Sequence, residues 1–152
     1  MKGIKYRFWA FLLAAGCSLA PAVAQQKFRV MEYNVENLFD CEHDSLKNDY
    51  EFLPDNPKGW SLPRFYDKLN KIGKVILAAG EDQVPDLVGL CEVENEHCVQ
   101  QLVSNSPLRE AGYQYAMTES PDERGIDVVL LYQPETFRHL GTQTVRIPSE
   151  KI

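Results

Sequence analysis

Four polar side chains stand where an apolar run meets a turn, and their types suit phosphate and cation chemistry. Asn34 follows Phe28-Arg29-Val30-Met31-Glu32-Tyr33, and Glu92 closes Leu87-Val88-Gly89-Leu90-Cys91. Arg124 and Asp127 flank and open the run from Gly125 to Tyr132. A carboxylate at a strand end is placed to hold a hard divalent cation such as Mg2+, which takes oxygen ligands and keeps several waters. A neutral Asn amide can orient a phosphate oxygen or a neighbouring carboxylate. An Arg guanidinium grips phosphate with two parallel hydrogen bonds. Taken singly, each residue also has a plainer reading. Glu92 is then an acid favoured ahead of a helix N-terminus, Asn34 a turn residue, and Arg124 with Asp127 a weak surface ion pair.

The elements that must position these groups follow from periodicity. Phe28 to Tyr33 reads as a strand, and Cys41 to Trp60 as a long surface loop with Asp55-Asn56-Pro57-Lys58-Gly59 as its clearest breaker. Ser61 is placed to cap a helix, with Pro63 tolerated in its first turn. Leu62, Phe65, Leu69, Ile72, Val75, Ile76 and Ala79 fall on one helical stripe, and Gly80 is a natural stop. Arg64, Lys68, Lys71 and Lys74 lie off that stripe and read as a solvated face. Asp86 to Cys91 reads as a buried central strand. Asn95 caps a helix through about Val103, with Cys98, Val99, Leu102 and Val103 inward. Strands follow at Tyr113 to Met117, Gly125 to Tyr132 and Leu140 to Ile147. This order predicts an α/β layered domain whose sheet turns antiparallel near its end, and ligands bind beyond the strand ends of such sheets.

Three segments together resemble the endonuclease/exonuclease/phosphatase superfamily, the fold of pancreatic DNase I. They are Met31-Glu32-Tyr33-Asn34-Val35-Glu36-Asn37-Leu38-Phe39, Pro85 to Asn95 through Gly89-Leu90-Cys91-Glu92-Val93-Glu94, and Arg124-Gly125-Ile126-Asp127-Val128-Val129-Leu130-Leu131-Tyr132. The resemblance runs from about Phe28 to Ile147. It implies a four-layer α/β sandwich and divalent-metal-dependent hydrolysis of phosphoester bonds, with Mg2+ or Mn2+ as cofactor. Glu92 matches the family's metal-binding glutamate, and Asn34 the first-strand asparagine that lines the metal and phosphate site. Both are expected to be catalytic and metal-linked. Arg124 and Asp127 are expected to contact substrate or support the site. Glu92 and Glu94 are not expected to converge as a pair. The family's later half carries a catalytic His, an Asp-x-Asn segment and a closing Asp-His pair. None of these occurs by Ile152, and His43, His97 and His139 match no catalytic position. The chain therefore reads as the N-terminal portion of such a domain, truncated before the second half of the fold. Its substrate is a phosphoester, either nucleic acid or a small phosphodiester. The alternative is a non-catalytic extracytoplasmic binding module, or an inactive fragment, that keeps half of the fold.

Residues 1–24 read as a signal peptide. Lys2, Lys5 and Arg7 precede an apolar run that ends at Ala22-Val23-Ala24, leaving residues 25–152 as the mature portion. This predicts an extracytoplasmic protein, periplasmic or secreted, with no stable membrane insertion once the leader is removed. Lipid attachment at Cys17 is the rival reading. Over 152 residues there are 16 Lys and Arg against 22 Asp and Glu, a net charge of -6. Losing the basic leader makes the remainder more acidic. Such a chain has no large basic surface for nucleic-acid backbones, so a nucleic-acid substrate would need a cation to supply the positive charge. The composition, with 44% hydrophobic residues, 9 Gly and 9 Pro, excludes collagen, coiled coil and polar disorder. Cys41, Cys91 and Cys98 match no zinc spacing. An oxidising compartment predicts one disulfide among them, with Cys91 expected as a buried free thiol.

Overall fold

The computed structural model describes residues 27–145. The signal peptide and the Cys17 reading lie outside that range. Four strands, β1 (Val30–Leu38), β2 (Leu87–Val93), β3 (Gln114–Met117) and β4 (Asp127–Tyr132), form one sheet in the order β1-β2-β4-β3. β1 runs parallel to β2, whereas β4 is antiparallel to both β2 and β3. The expected antiparallel turn is thus present. The parallel pair is joined by a crossover containing α1 (Leu62–Gly80), as parallel strands require. α2 (Glu96–Asn105) follows β2.

Both helices contribute to one core. Phe65, Leu69, Ile72 and Ile76 of α1 and Cys98, Val99 and Leu102 of α2 pack with Val88 and Leu90 of β2 and Val129 and Leu131 of β4. The strand side chains alternate, so Gly89 and Cys91 stand on the other face, opposite Leu130 and Val128 in register. That face is open among the described residues: Val30, Val128 and Leu130 are 72%, 53% and 42% exposed. The described chain is therefore a mixed α/β arrangement with one four-stranded sheet.

Several local expectations are corrected. The inward stripe of α1 is Phe65, Leu69, Ile72, Gly73, Ile76 and Gly80, while Leu62, Val75 and Ala79 are exposed. Gly73 and Gly80 belong to that stripe because neighbours come close: a Cβ would meet Ser106 Oγ at 2.8 Å from Gly73 and Pro85 Cδ at 2.9 Å from Gly80. Ser61 occupies the cap position with an extended backbone, but its side chain makes no capping bond. α1 does end at Gly80, as expected, and Glu81 just beyond it adopts φ 60° and ψ -102°. Asn95 does cap α2, its Oδ1 accepting from the Cys98 N–H at 2.9 Å.

No strand forms over residues 140–145, and the rest of that expected strand lies outside the described residues. Leu140 and Val145 are 90% and 76% exposed. Alternation alone makes no strand without a partner edge to bond. Cys41, Cys91 and Cys98 are all free, so the expected disulfide is absent among the described residues. The deeply buried thiol is Cys98; Cys91 is half-buried because it faces the open side of β2.

Candidate active site

β1 and β2 each extend past their expected ends, and the extra residues build the site. Regular pairing runs from Val30↔Leu87 to Asn34↔Cys91, breaks, and resumes at Leu38↔Val93. Within the break Glu36 and Asn37 adopt φ 55° and 62°, and Glu92 adopts φ 66°. Left-handed backbone at a non-glycine residue costs on the order of 1 kcal/mol or more, and such residues cluster at functional sites. Asn tolerates the conformation better than Glu.

The irregularity turns Asn34, Asn37 and Glu92 toward one another. Asn34 Nδ2 donates to Glu92 Oε1 at 2.9 Å, and the Asn37 N–H donates to Glu92 Oε2 at 3.1 Å. Asn34 Oδ1 accepts from the Glu36 N–H at 2.7 Å, which fixes the amide with its nitrogen facing the carboxylate. Each Glu92 oxygen thus accepts one named bond, leaving acceptor capacity on both. Asn37 Oδ1 is buried without a hydrogen-bond partner among the described residues, an unused oxygen in the same turn. An all-oxygen donor set of carboxylate and amide fits a hard divalent cation that retains water.

Lys68 of α1 joins this group, contrary to its expected place on a solvated face. Its Nζ donates to the Glu36 carbonyl at 2.6 Å and lies 5.9 Å from the centre of the Trp60 ring. Burial pushes its pKa below the ordinary lysine value, while the charges of Glu36 and Glu92 oppose that shift. Arg64 and Lys71 stay local, bonding the Lys58 carbonyl and Asp67 respectively. Only the off-stripe position of Lys68 was visible in the sequence. Its partner lies 32 residues away, beyond any local pattern.

Arg124 and Asp127 make no hydrogen bond or ion pair with Asn34 or Glu92 among the described residues, although Asp127 pairs in register with Val93, the residue after Glu92. Arg124 is exposed and pairs with Asp122, Nε to Oδ1 at 3.4 Å. Asp127 is buried, and its Oδ1 accepts from the Ser120 N–H at 2.5 Å, pinning the β3–β4 turn. Burial raises its pKa. It lines a groove of about 460 Å³ together with Lys47, Glu94, Asn95, Glu96 and Tyr115.

A second cluster, which the sequence did not announce, lies beside that groove. Ligand atoms of Asp40, Glu94 and Cys98 are within 4.8 Å of one another, and all three residues are buried. Glu94 Oε2 accepts from the Asp40 N–H at 2.8 Å and from Cys98 Sγ at 3.8 Å. Asp40 accepts from the Glu42 N–H and from Asn95 Nδ2. Burial, reinforced by the nearby Asp40 and Asp49 carboxylates, pushes Glu94 up to about 8. A group with that value holds its proton at neutral pH, so the cluster neutralises much of its own charge. Glu92 and Glu94 do not converge, as expected.

The three histidines lie elsewhere. His43 Nδ1 is 2.5 Å from Asp49 Oδ1 in the long loop, and His97 is exposed on α2. His139 bonds Thr142 and lies beside the ring of Tyr132, whose register partner Leu87 begins β2, at the end opposite Glu92. Among the described residues no helix is long and apolar enough to cross a membrane. Against known proteins, the profile of the endonuclease/exonuclease/phosphatase family matches residues 29–151. Neither the curated proteins nor the solved structures gave a match.

Proposed function

The chain belongs to the endonuclease/exonuclease/phosphatase family, and on that premise we propose that it forms part of an extracytoplasmic phosphohydrolase that depends on a divalent cation. The observation that carries this reading is the Glu92 carboxylate, held from both sides by Asn34 Nδ2 and the Asn37 N–H at an irregular strand end. Glu92 would hold Mg2+ or Mn2+ with its free lone pairs. Asn34 would act mainly by orienting Glu92, its own oxygen having a second lone pair for a cation-bound water or a phosphate. When bound, the cation supplies Lewis-acid polarisation of a phosphoryl oxygen.

The remaining chemistry on this chain is orientation. The two donors to Glu92 hold its carboxylate in place, which would orient a bound cation and its phosphate. Among the described residues no hydrogen bond links His43, His97 or His139 to Glu92, so the reading gives this chain cation holding and substrate placement. Arg124, on the turn before β4, would contact a substrate phosphate from the rim, and Asp127 would fix that turn through Ser120. The four-layer sandwich of the family is the finer form of the fold we propose. Its second sheet would cover the open face carrying Val30, Val128 and Leu130, which favours burial. The substrate is a phosphoester, and the acidic charge balance gives no preference for long duplex DNA.

The test is hydrolysis of a phosphodiester by the full-length protein in Mg2+, with and without chelator. Chelation is expected to stop turnover, and Glu92→Ala to lower it by several powers of ten. Activity within about tenfold of the parent at saturating metal would remove Glu92 from the cation site, since even outer-shell losses commonly cost that much.

A further inference from the structure

We propose that Lys68 is a positioning residue of the Glu92 site, acting through the single peptide group that joins Glu36 to Asn37. This rests on the reading of Glu92 as the cation-holding carboxylate. The carbonyl of that peptide group accepts from Lys68 Nζ at 2.6 Å. The N–H of the same group donates to Glu92 Oε2 at 3.1 Å. A rigid planar unit therefore has an ammonium on one side and the carboxylate on the other. Hydrogen bonds in series polarise one another, so the cation at the carbonyl makes the N–H a stronger donor.

The peptide group needs an external grip. Glu36 and Asn37 both hold positive-φ backbone, which Asn tolerates but Glu disfavours. Asn37 Oδ1 is buried without a partner among the described residues, so the side-chain oxygen of Asn37 does not hold the turn. Asn34 Oδ1 fixes only the preceding N–H, that of Glu36. Lys68 supplies the missing constraint on the carbonyl.

Lys68 is itself prepared for that role. Its ammonium lies 5.9 Å from the Trp60 ring centre, within range of a cation–π contact. The ring is anchored in turn, Trp60 Nε1 donating to the Phe39 and Asp40 carbonyls at 3.2 and 2.8 Å. These carbonyls directly follow β1, so the platform and the turn it serves are tied to the same stretch of chain. The arrangement recruits a helix residue to hold a ligand orientation, the function that outer-shell groups serve at metal sites.

The experiment is Mn2+ titration of the full-length protein, followed by the paramagnetic resonance of free Mn2+, together with amide exchange. The variants are Lys68→Met, Lys68→Arg and Glu92→Gln. Lys68→Met is expected to weaken Mn2+ binding about tenfold, and Lys68→Arg to recover part of the loss. The Asn37 amide should exchange faster in Lys68→Met while that of Leu90, in the core, keeps its protection. Mn2+ binding in Lys68→Met that equals or exceeds the parent overturns the proposal; tighter binding would make Lys68 only a repelling charge. Glu92→Gln separates the two readings. Loss of Mn2+ binding in Glu92→Gln with no effect in Lys68→Met defeats the Lys68 role alone. Full binding in Glu92→Gln defeats the site reading, and the Lys68 role with it.

Discussion

Glu92 and Glu94 carry the same carboxyl two residues apart at the end of β2, yet the fold gives them opposite surroundings. Glu92 is half-buried, and its two oxygens face donors from Asn34 and Asn37. Glu94 is 8% exposed, against Asp40 and the Cys98 thiol. The thiol is also pushed up, by its burial first and then by the Glu94 and Asp40 charges. The first setting leaves a carboxylate accessible and met by donors. The second keeps it protonated and sealed. Donor supply and solvent access, rather than residue type, separate the two acids.

The largest expected effect on this contrast is the loss of hydrolysis in Glu92→Ala, which should leave the cooperative unfolding transition in place. Unfolding of Glu92→Ala without a stable native state would break the contrast, because both acids would then be structural. Next comes Glu94. Its folded value of about 8 lies above the ordinary 4.5. An acid raised in this way binds a proton more readily in the folded state. Its contribution to stability is fully present below about 4.5 and is lost as pH rises through about 8. We expect that loss to reach a few kcal/mol for so buried a group. Glu94→Gln keeps an amide oxygen for the Asp40 N–H and cannot ionise. Urea unfolding across this range should show the parent losing ground to Glu94→Gln as pH rises. Parallel curves would mean that Glu94 is ionised in the fold.

A smaller effect tests the support of the buried acids. Asn95→Ala removes the cap of α2 and the donor to Asp40 Oδ2 together. It should cost about 1–2 kcal/mol in denaturant unfolding. A cost below about 0.5 kcal/mol would show the capping bond to be dispensable. The smallest effect is at Arg124. Its exposed pair with Asp122 contributes little, so Arg124→Ala should change stability by less than about 0.5 kcal/mol. If the residue grips a substrate phosphate, KM for a phosphodiester rises severalfold while kcat holds. An unchanged KM takes Arg124 out of substrate contact and leaves the rim without that cation.

The parts legible in the sequence are those encoded locally. The apolar runs gave β1, β2 and β4 to within a few residues at their starts, and Asn95 was readable as a cap because its signal is a single residue before a periodic stretch. Asn34 and Glu92 were legible because a polar residue closing an apolar run is itself a local pattern. The continuation of β1 through Asn37 was not. Its register breaks and resumes against β2, and that depends on a strand more than fifty residues away. The expected strand from Leu140 failed over residues 140–145 for the complementary reason, since alternation was present without a partner edge.

The sequence by itself determined which residues are apolar, where the helices start and which polar groups stand at strand ends, because these depend on neighbours along the chain. The tertiary structure decided which of two nearby glutamates faces donors in the open and which is sealed beside Asp40. It also decided that one lysine of a charged helix turns inward to the Glu36 carbonyl. Those outcomes depend on desolvation and on hydrogen bonds across long loops. Both are set only when β1, β2 and α1 are packed together.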